Sequence, residues 1–195
     1  MDRRFLFILG SARPNGNTEL LARLAARSLP EDSEMDWLSL LHNPLPLFED
    51  IRHHETRTYT VANETEQMYI DATLAATDIV IASPVYWYSL SASSKLYLDH
   101  WSAWMRLPDI NFRASMSGKK LWGITVLSDE DLLGVHPLIE TLRLSANYMD
   151  MEFGGVLLGY GNRPGDILND PPSLSRAENF FIARNEPVET SASTA

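Results

Sequence analysis

Between Ile8 and Leu21 an apolar run stops at Gly10, crosses the polar stretch Ser11-Ala12-Arg13-Pro14-Asn15-Gly16, and restarts at Asn17-Thr18-Glu19 with helical spacing. A strand that turns into a helix through glycines is a way to build an anion cradle. The first backbone N–H groups of the new helix have no intrahelical partner, and its dipole adds about half a positive charge there. Ser11, Asn15, Asn17 and Thr18 add hydroxyl and amide donors, and Arg13 adds a planar cationic fork suited to phosphate oxygens. No Lys-Ser or Lys-Thr follows the glycines, which argues against a nucleoside triphosphate loop, and Gly10 and Gly16 stand too far apart for a dinucleotide fingerprint. A plain strand-to-helix turn with Asn17 or Thr18 as N-cap needs no ligand and stays open at this point.

A second conspicuous stretch is Ser83-Pro84-Val85-Tyr86-Trp87-Tyr88-Ser89, at the end of the apolar run Ile79-Val80-Ile81-Ala82. Pro84 lacks an N–H and holds the chain away from helix as it leaves the strand. Three consecutive aromatics there must pack on a partner subunit, on the next helix or on a flat ligand.

These two stretches need elements that hold them side by side. The apolar pattern predicts strands at Phe5 to Leu9, Met35 to Leu40, Ile79 to Ser83, Lys120 to Leu127 and Glu152 to Leu158. Helices are predicted at Asn17 to Leu29, Glu64 to Ala76, Ala92 to Met105 and Val135 to Tyr148, with a last one capped by Ser173 and running to about Arg184. Such alternation predicts one α/β domain over residues 1–184, a doubly wound five-stranded parallel sheet in the order 2-1-3-4-5 inside a three-layer α/β/α sandwich. The site of such a sheet lies at the carboxyl ends of strands 1 and 3, where both conspicuous stretches fall. Asn185 to Ala195 reads as a disordered tail.

Composition narrows the class. At 195 residues, 45% hydrophobic and 22% charged, the chain has the makeup of a soluble globular protein; no apolar run is long enough for a bilayer, and a cytoplasmic location is expected. A formal charge of −10 disfavours nucleic acid as a partner. Without cysteine there is no disulfide, no thiolate nucleophile and no thiolate-held zinc or iron–sulfur cluster. The pair His53-His54 lacks the companions of a metal site, so no metal is expected. Lys95 and Asp99 have the spacing of a surface ion pair, and His100, Trp101 and Trp104 are assigned to the core or a dimer seam. The long irregular segment 41–63 is expected to cover the site or to clasp a neighbouring subunit.

The loop from Gly10 to Thr18 resembles the phosphate loop of the flavodoxin-like NAD(P)H-dependent FMN reductase family. Ser83-Pro84-Val85-Tyr86-Trp87, followed by Ser89, Lys95, Leu98 and Asp99, resembles that family's aromatic segment. The resemblance, which runs from Phe5 to about Leu158, implies noncovalent FMN, NADH or NADPH as electron donor, and a homodimer or homotetramer. It implies that Ser11, Arg13, Asn15, Asn17 and Thr18 hold the phosphate and that Pro84, Val85, Tyr86 and Trp87 line the isoalloxazine ring, with Ser128 completing the flavin site. The implied activity passes hydride through FMN to a small-molecule acceptor such as a quinone, a free flavin or an azo or nitro aromatic, with no side chain required as acid or base. A non-enzymatic FMN electron carrier and a cofactor-free assembly module are the alternatives. Three positions depart from the pattern: Tyr88 where glycine is frequent, Ser94 where a large aliphatic residue is preferred, and His100 where arginine is common. The acidic run Asp129-Glu130-Asp131 after Ser128 is read as a solvated flank for the following helix.

Overall fold

Strand β1 (Arg4–Leu9) is buried from Phe5 onward, and its side chains alternate between two cores. Phe5, Phe7 and Leu9 join Val80, Ala82, Trp122, Ile124 and Val126 on one face, whereas Leu6 and Ile8 join Ile79, Ile81 and Leu121 on the other. That is why these strands read as unbroken apolar runs: both faces are covered. The computed structural model describes residues 3–128 and 132–182. The acidic run 129–131, the tail 185–195 and the expected helix end near Arg184 lie outside the described residues.

With β2 (Glu34–Ser39), β3 (Asp78–Ala82), β4 (Lys120–Leu127) and β5 (Glu152–Tyr160), β1 forms a five-stranded sheet in the order β2-β1-β3-β4-β5. Every pairing is parallel. Helices α1 (Asn17–Ala26) and α6 (Pro171–Ala177) cover the first face together with a 3-10 turn at Asp166–Asn169. Helices α2 (Glu64–Ala75), α3 (Ala92–Trp104), α4 (Phe112–Met116) and α5 (Leu132–Tyr148) supply the second core. None of the helices among the described residues is long and apolar enough to cross a membrane.

Several boundaries differ from the sequence expectation for local reasons. Helix α1 stops at Ala26 instead of Leu29 because Arg27, Ser28 and Leu29 donate to carbonyls three residues back, tightening the last turn. Helix α6 starts at Pro171 and is capped by Asp170, not Ser173: the Asp170 carboxylate accepts from the Ser173 N–H, and the prolines fill the first turn, where no N–H is needed. Strand β5 continues to Tyr160, two residues past the expected end. Helix α4 and the 3-10 turn were not expected, being too short to show a period.

The segment 41–63 is seated on the α2–α3 side rather than over the strand ends. Leu45 is buried, and Phe48, Tyr59 and Val61 pack against the second core. Its fastener is polar. His100 and Glu66, each 4% exposed, face each other with Nδ1 and Oε1 3.0 Å apart. Trp104 Nε1 donates to the same Glu66 oxygen at 2.9 Å, and the Ala62 N–H donates to the other at 2.7 Å. His100 Nε2 lies 2.8 Å from the Pro46 carbonyl, which can only accept, so the network assigns His100 as an imidazolium donating from both nitrogens. Burial opposes its charge, but the bonds to Glu66 and Pro46 and the charges of Glu66 and Asp99 outweigh that and raise its pKa above 6.5. For Glu66 burial is likewise outweighed, here by bonds from His100, Ala62 and Trp104, and its pKa falls below 4.5. His100, Trp101 and Trp104 are thus core residues, and Lys95 and Asp99 form the expected half-exposed ion pair.

Candidate functional site

The carboxyl ends of β1, β3, β4 and β5 open onto one cavity of 480 Å³. Its lining includes Ser11, Arg13, Asn15, Asn17, Thr18, Pro84, Val85, Tyr86, Trp87 and Ser128, so all ten residues singled out in the sequence border the same space. Gly10 lets the β1 and β3 loops meet. Its N–H donates to the Ala82 carbonyl at 2.9 Å and its carbonyl accepts from Ser93 Oγ at 3.2 Å. A Cβ there would fall 1.8 Å from Ser94 Oγ, so the small side chain at 94 and the glycine at 10 fit as a pair.

On the β1 side the polar groups divide into engaged and free. The Ser11 hydroxyl is turned inward on its own loop, donating to the Arg13 carbonyl and accepting from the Arg13 N–H. The Asn15 N–H donates to Glu19 Oε2 at 2.9 Å, and Arg23 neutralises that carboxylate. Asn17 is engaged at both ends of its carboxamide, giving a bond to the Arg163 carbonyl and taking one from the Gly165 N–H, each 2.8 Å long. By contrast, the Arg13 guanidinium and the nearly buried Thr18 hydroxyl have no protein partner among the described residues. Nor does any side chain cap α1: its N-cap is Gly16, which disposes of the simple cap by Asn17 or Thr18. Helices α2, α3 and α6 are each capped by a side chain, from Asn63, Ser91 and Asp170. An uncapped helix start beside an unpaired arginine and a free hydroxyl is suited to a phosphate.

On the β3 side Ser83 pins both ends of the loop. Its hydroxyl donates to the Pro84 carbonyl at 3.0 Å and accepts from the Ser91 N–H at 2.9 Å. Between these ends Tyr86 and Ser89 exchange two backbone hydrogen bonds of 3.0 and 3.1 Å, closing a two-residue turn at Trp87 and Tyr88. Both turn residues are left-handed, with φ of 50° and 65°. Asn-Gly is the usual occupant of such a turn, and a bulky residue there costs about 1–2 kcal/mol. Tyr86, Trp87 and Tyr88 are 46%, 92% and 60% exposed, so core packing does not offset the strain. Their faces offer a wall for a flat ring.

Sequence reasoning missed the third wall. Gly161, Asn162 and Pro164 line the cavity from the loop after β5, which Asn17 ties to α1. The Gly161-Asn162-Arg163-Pro164-Gly165 run follows the last strand, and its position at the same carboxyl edge as β1 and β3 was the available signal.

A parallel sheet of this order with a cavity over β1 and β3 defines a flavodoxin-like α/β protein. The chain belongs to the NADPH-dependent FMN reductase family, whose model matches residues 3–151. It is an oxidoreductase that works with FMN and a reduced nicotinamide. Bacillus subtilis YwqN, named as an NAD(P)H-dependent FMN-containing oxidoreductase, is 34% identical over 175 residues, covering 89% of this chain and 94% of that protein. An iron–sulfur flavoprotein of Methanocaldococcus jannaschii is 28% identical over 183 residues, 89% of this chain and 91% of its own length. The present chain has no cysteine to hold such a cluster. Among solved structures, a Trp repressor binding protein from Bacillus subtilis superposes with a TM-score of 0.72 at 30% identity, covering 93% of this chain and 99% of that one. An FMN-dependent NADH-azoreductase from Bacillus anthracis in complex with FMN gives 0.64 at 12% identity, covering 91% and 97%, a likeness of fold.

Proposed function

We propose that the cavity seats FMN with its phosphate at the start of α1 and its ring system against the Pro84–Trp87 wall, and that the acceptor is a small aromatic molecule: a quinone, a free flavin or an azo or nitro aromatic. The observation that carries this reading is the convergence, in one cavity, of an uncapped helix start, the unpaired Arg13 and a strained aromatic turn. FMN held there would supply two-electron hydride chemistry between a nicotinamide and the acceptor. Arg13, the Thr18 hydroxyl and the first N–H groups of α1 offset the phosphate charge. Ser11 shapes the loop, Asn17 anchors it, and Asn15 and Ser128 border the remainder of the cavity. Pro84, Val85, Tyr86 and Trp87 hold the ring plane and keep water from one side of it.

Anaerobic titration of the FMN-loaded protein with NADH and then NADPH tests the proposal. Flavin bleaching by one or both nicotinamides alone is expected; bleaching that requires a protein reductase would make the chain an electron carrier instead. We further propose a homodimer or homotetramer, supported by the exposed Leu144 and Tyr148 beside Trp101, Met105 and Met149 on the α3–α5 surface. Sedimentation velocity across a concentration series reads the assembly directly.

A further inference from the structure

We propose that Tyr88 is a specificity-determining residue of the acceptor step, favouring a single flat ring over fused or linked ring systems. The inference rests on FMN occupying the cavity as proposed above. The turn at Trp87 and Tyr88 is of the kind that glycine or asparagine fills without strain, yet its second central residue is a tyrosine with φ of 65°. That side chain is not held by core packing: it is 60% exposed, and its hydroxyl has no hydrogen-bond partner among the described residues. It does border the cavity, beside Trp87 and on the same lining as Arg13 and Thr18. A strained residue kept at a cavity mouth without a packing reward points to a role in what enters.

Its position is also firm. The paired Tyr86–Ser89 bonds close the turn, and Ser83 ties the loop's two ends together, so the ring is carried on a short, pinned hairpin rather than a loose loop. Among the described lining residues Arg13 is the single charged side chain, and the proposed function places it at the phosphate. Beyond Arg13, the described lining offers an acceptor shape and ring faces. Tyr88 directly follows the Pro84–Trp87 wall proposed to hold the flavin ring, so its side chain flanks the approach to that ring. A fused second or third ring takes up more of the mouth that the Tyr88 side chain narrows and a glycine would leave open. In the reaction a quinone takes a hydride derived from the nicotinamide and a proton from water, becoming the hydroquinone, so no group of Tyr88 is consumed.

The test compares kcat/KM of the FMN-loaded protein for a benzoquinone, a naphthoquinone and riboflavin at fixed nicotinamide, in the wild type and in Tyr88→Gly, Tyr88→Asn and Tyr88→Phe. The wild type should rank the benzoquinone first. Removing the ring in the Gly and Asn variants should raise naphthoquinone and riboflavin relative to benzoquinone by about tenfold or more, the scale of a steric discrimination, while Phe keeps the original ranking. Relief of the turn should also raise the melting temperature of the Asn variant by about 2–4 °C. A ranking unchanged in Gly and Asn, with or without the thermal shift, would overturn the proposal, as would a Phe variant that behaves like Gly. Failure of the underlying reading is seen separately, as a wild-type flavin that no nicotinamide bleaches.

Discussion

The two ends of helix α3 handle conspicuous side chains in opposite ways. Just before its N-terminus, Trp87 and Tyr88 stand exposed on left-handed backbone; in its last turns, His100 and Trp104 are buried and every polar atom of the Glu66–His100–Trp104 cluster has a partner. Both groups attract attention in the sequence because aromatic and titratable residues are crowded together. Satisfaction separates them. A cluster whose donors and acceptors are all matched internally is explained by folding, whereas a strained, exposed turn bordering a cavity is not, and function is where the unexplained cost belongs.

The strongest way to test that separation is to break the buried cluster. Glu66→Ala leaves the His100 imidazolium and the Trp104 N–H facing an empty position, and removes the acceptor of the Ala62 N–H. Losing one partner of a buried ion pair costs about 3–5 kcal/mol. Urea unfolding should show a loss of this size, while FMN affinity measured on the folded protein at low temperature stays within about twofold. A loss well below 1 kcal/mol would mean that the cluster does not fasten segment 41–63.

On the cavity side the largest effect should fall on binding rather than stability. Arg13→Ala should weaken FMN by roughly 1.5–3 kcal/mol through loss of a charge-assisted hydrogen bond, with riboflavin, which lacks the phosphate, nearly unaffected. Equal losses for the two flavins in fluorescence-quenching titrations would remove Arg13 from the phosphate seat. Because its side chain has no protein partner among the described residues, unfolding should change little.

A smaller, pH-dependent effect sharpens the same contrast. The folded pKa of His100 lies above its ordinary 6.5, so its stabilisation is fully present below pH 6.5 and is lost as pH rises through the folded value. Glu66 works in reverse: its folded pKa lies below 4.5, so its contribution is present above that pH and is lost on acidification through the folded value. Asp99 on α3 and Glu66 on α2 are the charges that raise His100. Stability should therefore be greatest between the two limbs, and His100→Gln should flatten the alkaline limb in denaturation curves collected from pH 6 to pH 9. An alkaline limb that survives this substitution would assign it to another group.

How much of this was legible follows from which interactions are local. The strand order could be read because parallel strands covered on both faces leave apolar runs such as Phe5–Leu9 and Ile79–Ala82, and because Gly10 and Ser83 end them at the same edge. Tyr88 stood out by its type, but its strain did not, since a left-handed φ depends on the closed turn between Tyr86 and Ser89. His100 could be placed in the core by helical spacing, whereas its partners Glu66 and Pro46, 34 and 54 residues away, come together only when α2, α3 and segment 41–63 pack. Asn17 was legible as a polar residue at a helix start. That its carboxamide is committed to residues 163 and 165 depends on contacts across 146 and 148 positions.

That last point separates a brace from a ligand. Asn17 could hold phosphate through its side chain, through its backbone N–H, or only by fixing the loop; its carboxamide already gives one bond to Arg163 and takes one from Gly165. Asn17→Ala should therefore cost stability, about 1 kcal/mol for two partly exposed hydrogen bonds, and loosen the 161–165 wall. The preference for FMN over riboflavin should survive, because the first N–H groups of α1 and Arg13 remain in place. Measuring both flavins on the two variants side by side decides the matter. If Asn17→Ala erases that preference as Arg13→Ala does, the carboxamide exchanges its bonds to Arg163 and Gly165 for the phosphate when FMN binds.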